Sequence, residues 1–237
     1  MKIVPYKPTS KSAEKLSLTL SEESNKVIRR GDPERRSLNI NWGNGYLQDG
    51  KFLWLNKPSA VRKSIDKLTC FKELKDVVPT VPYTTSKETA KGWLRENYQV
   101  LARTREGMDG SGITIISPHE ELPQANLYTK FLENRKEFRV YVFDGQVFHK
   151  QERRRKNSAQ PARIWSSKNG YILCNKNVNP PPEIDGMALS VVDILGLDFA
   201  AVDFLQQEND LYFLETNTAV SLTDDLAKKY AELILKL

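Results

Sequence analysis

The chain has 237 residues, of which 39% are hydrophobic and 28% charged, a balance that suits a water-soluble globular protein of one or two compact domains. No apolar run approaches the roughly 20 residues that span a bilayer, and the opening MKIVPYKPTSKSAEKL lacks the apolar stretch of a secretory signal, so no membrane partner and a cytoplasmic location are expected. Cys70 and Cys174 stand far apart and only His119 and His149 are present, which excludes a histidine-rich metal centre or histidine-based triad; the net charge of +6 suits nucleotides, nucleic acids or acidic substrates, or simply a basic surface.

Residues 12–24 read as a first helix, with Ser12 as cap and Ala13, Leu16 and Leu20 as an apolar stripe. KVIRR and SLNINWG read as short strands, and NGYLQDGKFLWLN as a loop with a turn at Asp49-Gly50. From Pro58 the pattern is helical through KPSAVRKSIDKLTCFKELKDV, and Pro79 and Pro82 then hold the chain extended. Ser86 caps a helix over KETAKGWLREN. QVLART and ITIISP are strands on either side of REGMDGSG, and ANLYTKFLEN starts extended and ends as a connector. KEFRVYVFDGQVFHKQERRRK is the clearest hairpin. Its two-residue turn, Asp144-Gly145, sets Arg139 opposite Lys150 and puts Tyr141 and Phe148 on one face. The segment 157–180 reads as irregular. Residues 183–195 form an amphipathic helix through Ile184, Met187, Val191 and Leu195, stopped by Gly196. A last helix starts near Thr223 and buries Leu226, Tyr230, Leu233 and Leu237.

Between these two helices lies LDFAAVDFLQQENDLYFLETNTAVSL, two strand runs that each carry an acid where a buried strand should be apolar. A turn centred on Asn209 pairs Phe204 with Leu214 and Asp203 with Glu215. Asn217 shares the face of Glu215, because side chains alternate with period two. Two opposed carboxylates repel unless a proton or a cation intervenes. With an amide oxygen beside them they suit a hard divalent cation such as Mg²⁺. A solvated outer sheet face that happens to carry acids is the competing reading.

The loop in LARTREGMDGSGITII places Gly107, Gly110 and Gly112 between two strands. Its backbone N–H groups can close over phosphates, although most glycine-rich strand connections are plain turns. It is not a Walker A loop, since no Gly-Lys-Ser/Thr follows. Lys67, Arg103, Arg139 and Lys150 are candidate phosphate cations; each alone also reads as a surface charge. Arg139 and Lys150, directly opposed, would repel without an anion between them. In QERRRK, Arg153 and Arg154 are better placed to reach inward than Arg155 and Lys156, which read as a solvated loop.

In their order these parts resemble the ATP-grasp superfamily. The order is Lys67 in SIDKLTCF, Arg103 in LART, the loop GMDGSG, YTKFLENRKEFR, then the D…E-x-N set of Asp203, Glu215 and Asn217. The chain also resembles the short ATP-grasp proteins common in tailed-phage genomes, on KPTSKSA, INWGN, LNKP and GLDFAAVD. The resemblance runs over nearly the whole chain. The D…E-x-N hairpin is its most specific element and the glycine loop its least.

The resemblance implies an α+β, ATP-grasp fold: two α+β lobes around a nucleotide cleft, preceded by a small α/β region. Residues 1–60 would form that region, 61–129 the lobe with the glycine loop, and 130–237 the lobe with the metal hairpin. It implies ATP and one or two Mg²⁺ ions (or Mn²⁺) at Asp203, Glu215 and Asn217. The implied chemistry joins a small-molecule or peptide carboxylate to an amine through an acylphosphate, releasing ADP and phosphate. Lys67, Arg103, Arg139 and Lys150 would hold phosphates beneath Gly107, Gly110, Ser111 and Gly112. Lys130, Phe131 and Leu132 would line the adenine hinge, and Glu137 would meet the ribose. Arg139 and Arg154 would be catalytic, Arg154 holding the acylphosphate or the acid. A phage-borne protein would act in the host cytoplasm.

Some positions depart from the superfamily pattern. Arg103 stands where a Lys is usual, Val220 where a Pro is common, and ARIWSSKNGY lacks an expected Arg-Asn pair near Trp165 and Ser166. The alternatives are a basic nucleic-acid-associated protein with an idle or regulatory nucleotide site, and an ATP-grasp kinase.

Overall fold

The computed structural model describes residues 1–106, 112–133 and 135–237. The chain begins with β1 (Lys2–Pro5), α1 (Lys11–Ser24), β2 (Arg29–Arg30), β3 (Leu38–Trp42) and β4 (Leu53–Leu55). These strands form a parallel sheet in the order β2-β1-β3-β4. The sequence reading missed β1 and β4, because four and three residues are too few for alternation to show. It also placed the first helix cap two residues late. Ser10 is the cap, accepting the Ala13 N–H at 3.3 Å, while the Ser12 hydroxyl accepts the Trp42 indole N–H at 2.9 Å.

The predicted helix from Pro58 is two helices, α2 (Pro58–Ile65) and α3 (Lys67–Leu74). Asp66 is extended between them, and its carboxylate caps α3 by accepting the Leu68 and Thr69 N–H groups. Next come β5 (Tyr83–Thr84), α4 (Lys87–Arg95), β6 (Val100–Arg103), β7 (Ile113–Ile116) and β8 (Leu127–Lys130). They make an antiparallel sheet, β5-β8-β6-β7. Ala90 and Leu94 of α4 pack on one face of it, against Val100, Ala102 and Tyr128.

The remaining elements are β9 (Arg135–Phe143), β10 (Gln146–Arg155), β11 (Tyr171–Cys174), α5 (Ile184–Leu195), β12 (Phe199–Gln207), β13 (Asp210–Asn217) and α6 (Asp224–Ile234). The five strands form one antiparallel sheet, β11-β10-β9-β12-β13. Its inner face (Phe138, Val140, Val142, Val202, Phe204 and Phe213) packs with α2, α3 and α5. On the opposite face, Tyr141, Phe143, Phe199 and Ala201 meet the parallel sheet, α1 and α6. Further along that second face the sheet opens into a cleft. Tyr230 of α6 is fully buried there, but Leu233 is only partly covered and Leu237 is 62% exposed, contrary to the sequence reading. No helix among the described residues is long and apolar enough to cross a membrane.

Each long hairpin carries a β-bulge. In β9–β10 the register slips between Val147 and His149; in β12–β13 it slips between Asp203 and Phe204. A bulge inserts one residue and re-aims those beyond it. The β12–β13 bulge lies at the cleft and the β9–β10 bulge precedes the cleft residues Gln151 and Arg153, so both decide which side chains reach it.

Candidate functional site

Four neighbouring strands place one residue each in a single row: Gln151, Arg139, Asp203 and Glu215. Directly opposed residues share a face, so all four point to the cleft. Arg139 donates from Nε and Nη2 to the two Asp203 carboxylate oxygens, each at 2.6 Å. Lys67 Nζ lies 3.2 Å from Glu215 Oε2. Asn217, two residues along β13, donates its amide to Asp203 Oδ2 at 3.4 Å. Asp203 stands opposite Glu215, as the spacing predicts. The pair beside them differs: Phe204 faces Phe213, and Leu214 is the bulged residue.

One step along β9, Glu137 is held between Arg135 at 2.9 Å and Arg153 at 3.0 Å. Arg153 also lies 3.8 Å from Asp203. One step the other way, the Tyr141 hydroxyl donates to Gln151 Oε1 at 2.6 Å, and the Gln151 amide donates to Asn175 at 2.6 Å. Burial pushes the Tyr141 phenol up to about 12, so it remains a neutral donor.

Burial and charge act on the carboxylates in opposite directions. Burial would raise the Glu215 carboxyl, but Lys67, Arg103 and Arg139 together hold it below the usual range. For Glu137 burial wins over Arg135 and Arg153, and its carboxyl is raised. Burial likewise lowers the Arg103 guanidinium, against the pull of Glu215 and Glu137. For Arg139 burial opposes the charge, but the Asp203 carboxylate outweighs it and raises the group further.

The facing wall comes from the β5-β8-β6-β7 sheet. Arg103 is 8% exposed and lines the cleft, and its Nε has no hydrogen-bond partner among the described residues. Lys67 is held at the start of α3, where its N–H bonds the Arg105 carbonyl at 3.0 Å and Arg105 pairs with Asp66. Gly107, Gly110 and Ser111 lie outside the described residues. Gly112 closes the loop: its carbonyl accepts the Thr104 N–H at 3.1 Å. Its φ is +69°, and a Cβ there would lie 2.5 Å from the Thr104 hydroxyl. Lys130, Phe131 and Leu132 all line the cleft. The Lys130 ammonium sits 3.4 Å from the centre of the Tyr98 ring, so this lysine meets the cleft with its stem and backbone.

Two predicted residues are placed elsewhere. The β9–β10 bulge sets Gln151, not Lys150, opposite Arg139. Lys150 falls on the α5 face and pairs with Asp185 at 2.6 Å. Arg154 falls on that face as well, bonded to Glu152 and to the Lys176 and Asn177 carbonyls. Neither lines the cleft. The same slip brings in Gln151, which the sequence reading did not assign, and Arg153, which it placed as reaching inward but gave no role. Strand alternation counted back from Arg139 finds them only once the bulge is known. The reading also missed Tyr6, Lys7 and Lys11 and the segment 220–223, which line the far end of the cleft. They follow β1 and β13, and β1 left no sequence signal.

The cleft measures about 960 Å³, room for a nucleotide and a second small ligand. No group of three His, Cys, Asp or Glu side chains gathers to hold a metal among the described residues. Asp203, Glu215 and Asn217 supply hard oxygen donors but too few to enclose an ion. Such a set suits Mg²⁺, which keeps few protein ligands and takes others from phosphate. The unpartnered, buried Arg103 Nε is a matching donor for an anion.

Solved structures share this fold. The ATP-grasp ligase PsnB, complexed with a phosphomimetic variant of its minimal precursor, Mg and ADP, aligns at a TM-score of 0.74 and 11% identity over 99% of this chain and 97% of that one. The D-alanine–D-alanine ligase of Bacillus anthracis aligns at 0.73 and 12%, over 99% and 95%. A RiPP-associated ATP-grasp ligase of Chryseobacterium gregarium, in complex with ADP and a leader and core peptide, aligns at 0.68 and 15%, over 100% and 96%. At such identities the likeness is one of fold. No curated protein sequence matches the chain. The family model of the RimK-like ATP-grasp domain matches residues 81–232, a span from β5 through α6 that contains the whole charged row, and the chain therefore belongs to the RimK-like ATP-grasp family.

Proposed function

We propose that the protein is an ATP- and Mg²⁺-dependent ligase that joins a carboxylate to an amine through an acylphosphate, releasing ADP and phosphate. The observation that carries this reading is a cluster of charge: Arg103, Arg139, Asp203 and Glu215 line one cleft, and Lys67 lies behind them against Glu215. Phosphoryl transfer asks the protein for positioning and charge neutralisation more than for a covalent group. Arg103 and Arg139 would hold the phosphates from opposite walls, with Lys67 beside them. Asp203, Glu215 and Asn217 would hold Mg²⁺, which when bound neutralises charge between the β- and γ-phosphates.

In the first step an oxygen of the substrate carboxylate bonds the γ-phosphorus, and the bond to the β-phosphate oxygen breaks to leave ADP. In the second the amine nitrogen bonds the acyl carbon, the carbon–oxygen bond to phosphate breaks, and the nitrogen loses a proton. Arg153, beside Glu137 and Asp203, is placed to steady the acylphosphate. The far end of the cleft, at Tyr6, Lys7, Lys11 and 220–223, would receive the acid and amine. Peptides are a candidate class, since PsnB was solved with the precursor peptide PsnA2 and the Chryseobacterium enzyme with a leader and core peptide.

A nucleic-acid reading draws less support. Alternation splits the basic run 151–156, with Arg153 in the cleft and Arg154 tied to backbone carbonyls on the other face. The deciding experiment supplies ¹⁸O-labelled carboxylic acids, ATP, Mg²⁺ and an amine pool. Ligation transfers one labelled oxygen to the released phosphate. Phosphorylation of a hydroxyl, or ADP formed with no label transfer, sinks the ligase reading.

A further inference from the structure

Arg139 stands between Asp203 on one side and Gln151 on the other. On the first side its Nε and Nη2 both donate to the Asp203 carboxylate. On the second side a neutral arm reaches it. The guanidinium hydrogen-bonds the Tyr141 hydroxyl. That hydroxyl donates to Gln151 Oε1 at 2.6 Å, and the Gln151 amide donates to Asn175 Oδ1 at 2.6 Å. An arginine can only donate, so the Tyr141 oxygen accepts from it and the phenol proton goes to Gln151. The amide is thereby fixed with its oxygen towards Tyr141 and its nitrogen towards Asn175. Tyr141 and Gln151 are both buried. The rings of Phe148 and His149 pack against Tyr141, at 5.9 and 5.4 Å between centres, and keep its hydroxyl in place.

The two holds on Arg139 differ in charge. Asp203, which grips it, also belongs to the oxygen set that suits Mg²⁺. A carboxylate that serves a cation attracts a guanidinium less strongly. Held by Asp203 alone, Arg139 would lose part of its anchor once that carboxylate is shared. The arm through Tyr141 and Gln151 carries no charge. It neither draws a cation away from Asp203 nor competes with phosphate for the guanidinium, as a carboxylate at position 151 would. We infer that Tyr141 and Gln151 are positioning residues that keep Arg139 aimed at the nucleotide phosphates when Asp203 is shared with a divalent cation. This rests on the ATP and Mg²⁺ reading above.

Y141F and Q151M keep the buried volume and break the arm. Calorimetry measures ATP affinity for each, once with Mg²⁺ and once in EDTA, and melting temperatures are taken alongside. With Mg²⁺, Y141F should bind ATP about 10-fold more weakly than wild type, the scale of one charge-assisted hydrogen bond, and Q151M about 5-fold more weakly. In EDTA, where Asp203 keeps its full hold on Arg139, both should bind within about 2-fold of wild type. The double variant should bind no more weakly than Y141F, because both residues act through one arm. N175A changes the exposed end of the arm, so it reads the same effect even where a buried variant does not fold; its loss should be about 3-fold and confined to Mg²⁺. A merely structural pair would lose affinity equally in both conditions. Equal losses with Mg²⁺ and in EDTA, or no loss with Mg²⁺, overturn the inference and leave the ligase reading standing. Wild-type protein that binds ATP no more tightly with Mg²⁺ than in EDTA removes the metal role of Asp203, and the inference falls with it.

Discussion

Arg139 grips Asp203 through two parallel hydrogen bonds of 2.6 Å, and both side chains are nearly buried, at 11% and 9% exposure. One strand away Lys67 lies against Glu215. The free protein thus neutralises with its own cations the carboxylates that would hold a metal. Breaking a buried pair from one side leaves a charge without compensation, which costs about 3–5 kcal/mol, whereas replacing both members by apolar groups is often neutral. R139A should accordingly lower stability by about 3–5 kcal/mol, and the double variant R139M/D203L should recover most of it. Urea unfolding midpoints read both. An R139A midpoint equal to wild type would mean that Asp203 is not charged or not buried in solution.

Glu215→Gln keeps size and hydrogen-bonding capacity but removes the charge beside Lys67. E215Q should still fold but with a lowered melting temperature, because Lys67 and Arg103 lose a buried counter-charge, while ADP formation falls by about 10³-fold, the scale of a lost metal-dependent stabilisation of several kcal/mol. Circular dichroism and a coupled ADP assay check the two halves. Wild-type turnover in E215Q would remove Glu215 from any metal role.

The acid pair was legible in the sequence through two errors that cancel. The turn was read as centred on Asn209, but Gln207 pairs with Asp210 and the turn is one residue shorter. The bulge at Leu214 adds that residue back, so Asp203 still meets Glu215. In β9–β10 the Asp144-Gly145 turn was read correctly, and there the bulge alone shifted everything beyond it. Lys150 and Arg154 turned away, and Gln151 and Arg153 turned in. Bulges follow from how strands twist and pack rather than from local residue preference, which is why patterning located the strands and missed their register. The long helices α1, α4, α5 and α6 were legible because capping residues and a 3.6-residue apolar period agree. The parallel sheet was only half legible, since its strands have two to five residues.

His149 sits under Tyr141 on the second face, with its Nδ1 3.3 Å from the Lys229 ammonium. Burial, and then the Lys229 charge, lower its basicity in the folded state. The unfolded chain therefore takes up a proton here at higher pH than the native protein does. Stability is fully present above the ordinary histidine range, near 6.5, and is lost as pH falls from there through the lowered native value. H149Q cannot be protonated. Its melting temperature should fall less than that of wild type between pH 7.5 and 5.5. Parallel slopes for the two proteins would show that His149 is protonated freely in the fold.

The register of β10 yields a sharp contrast among three of its residues. Arg153 bridges Glu137 and Asp203 at the cleft, whereas Lys150 and Arg154 face the α5 side. Truncating Arg153 removes a guanidinium from a buried acidic pair and leaves Glu137 with Arg135 alone. R153A should therefore weaken nucleotide or acid-substrate binding by about 10-fold or more, the effect of one lost charge-assisted contact. Lys150 and Asp185 form a pair at 35% and 42% exposure, of the kind that contributes at most about 1 kcal/mol. K150A and R154A should bind ATP within about 2-fold of wild type, within that small range. Calorimetric titration of the three variants decides the register in solution. If R154A loses affinity and R153A does not, β10 lacks the bulge, and the charged row is assembled from different residues.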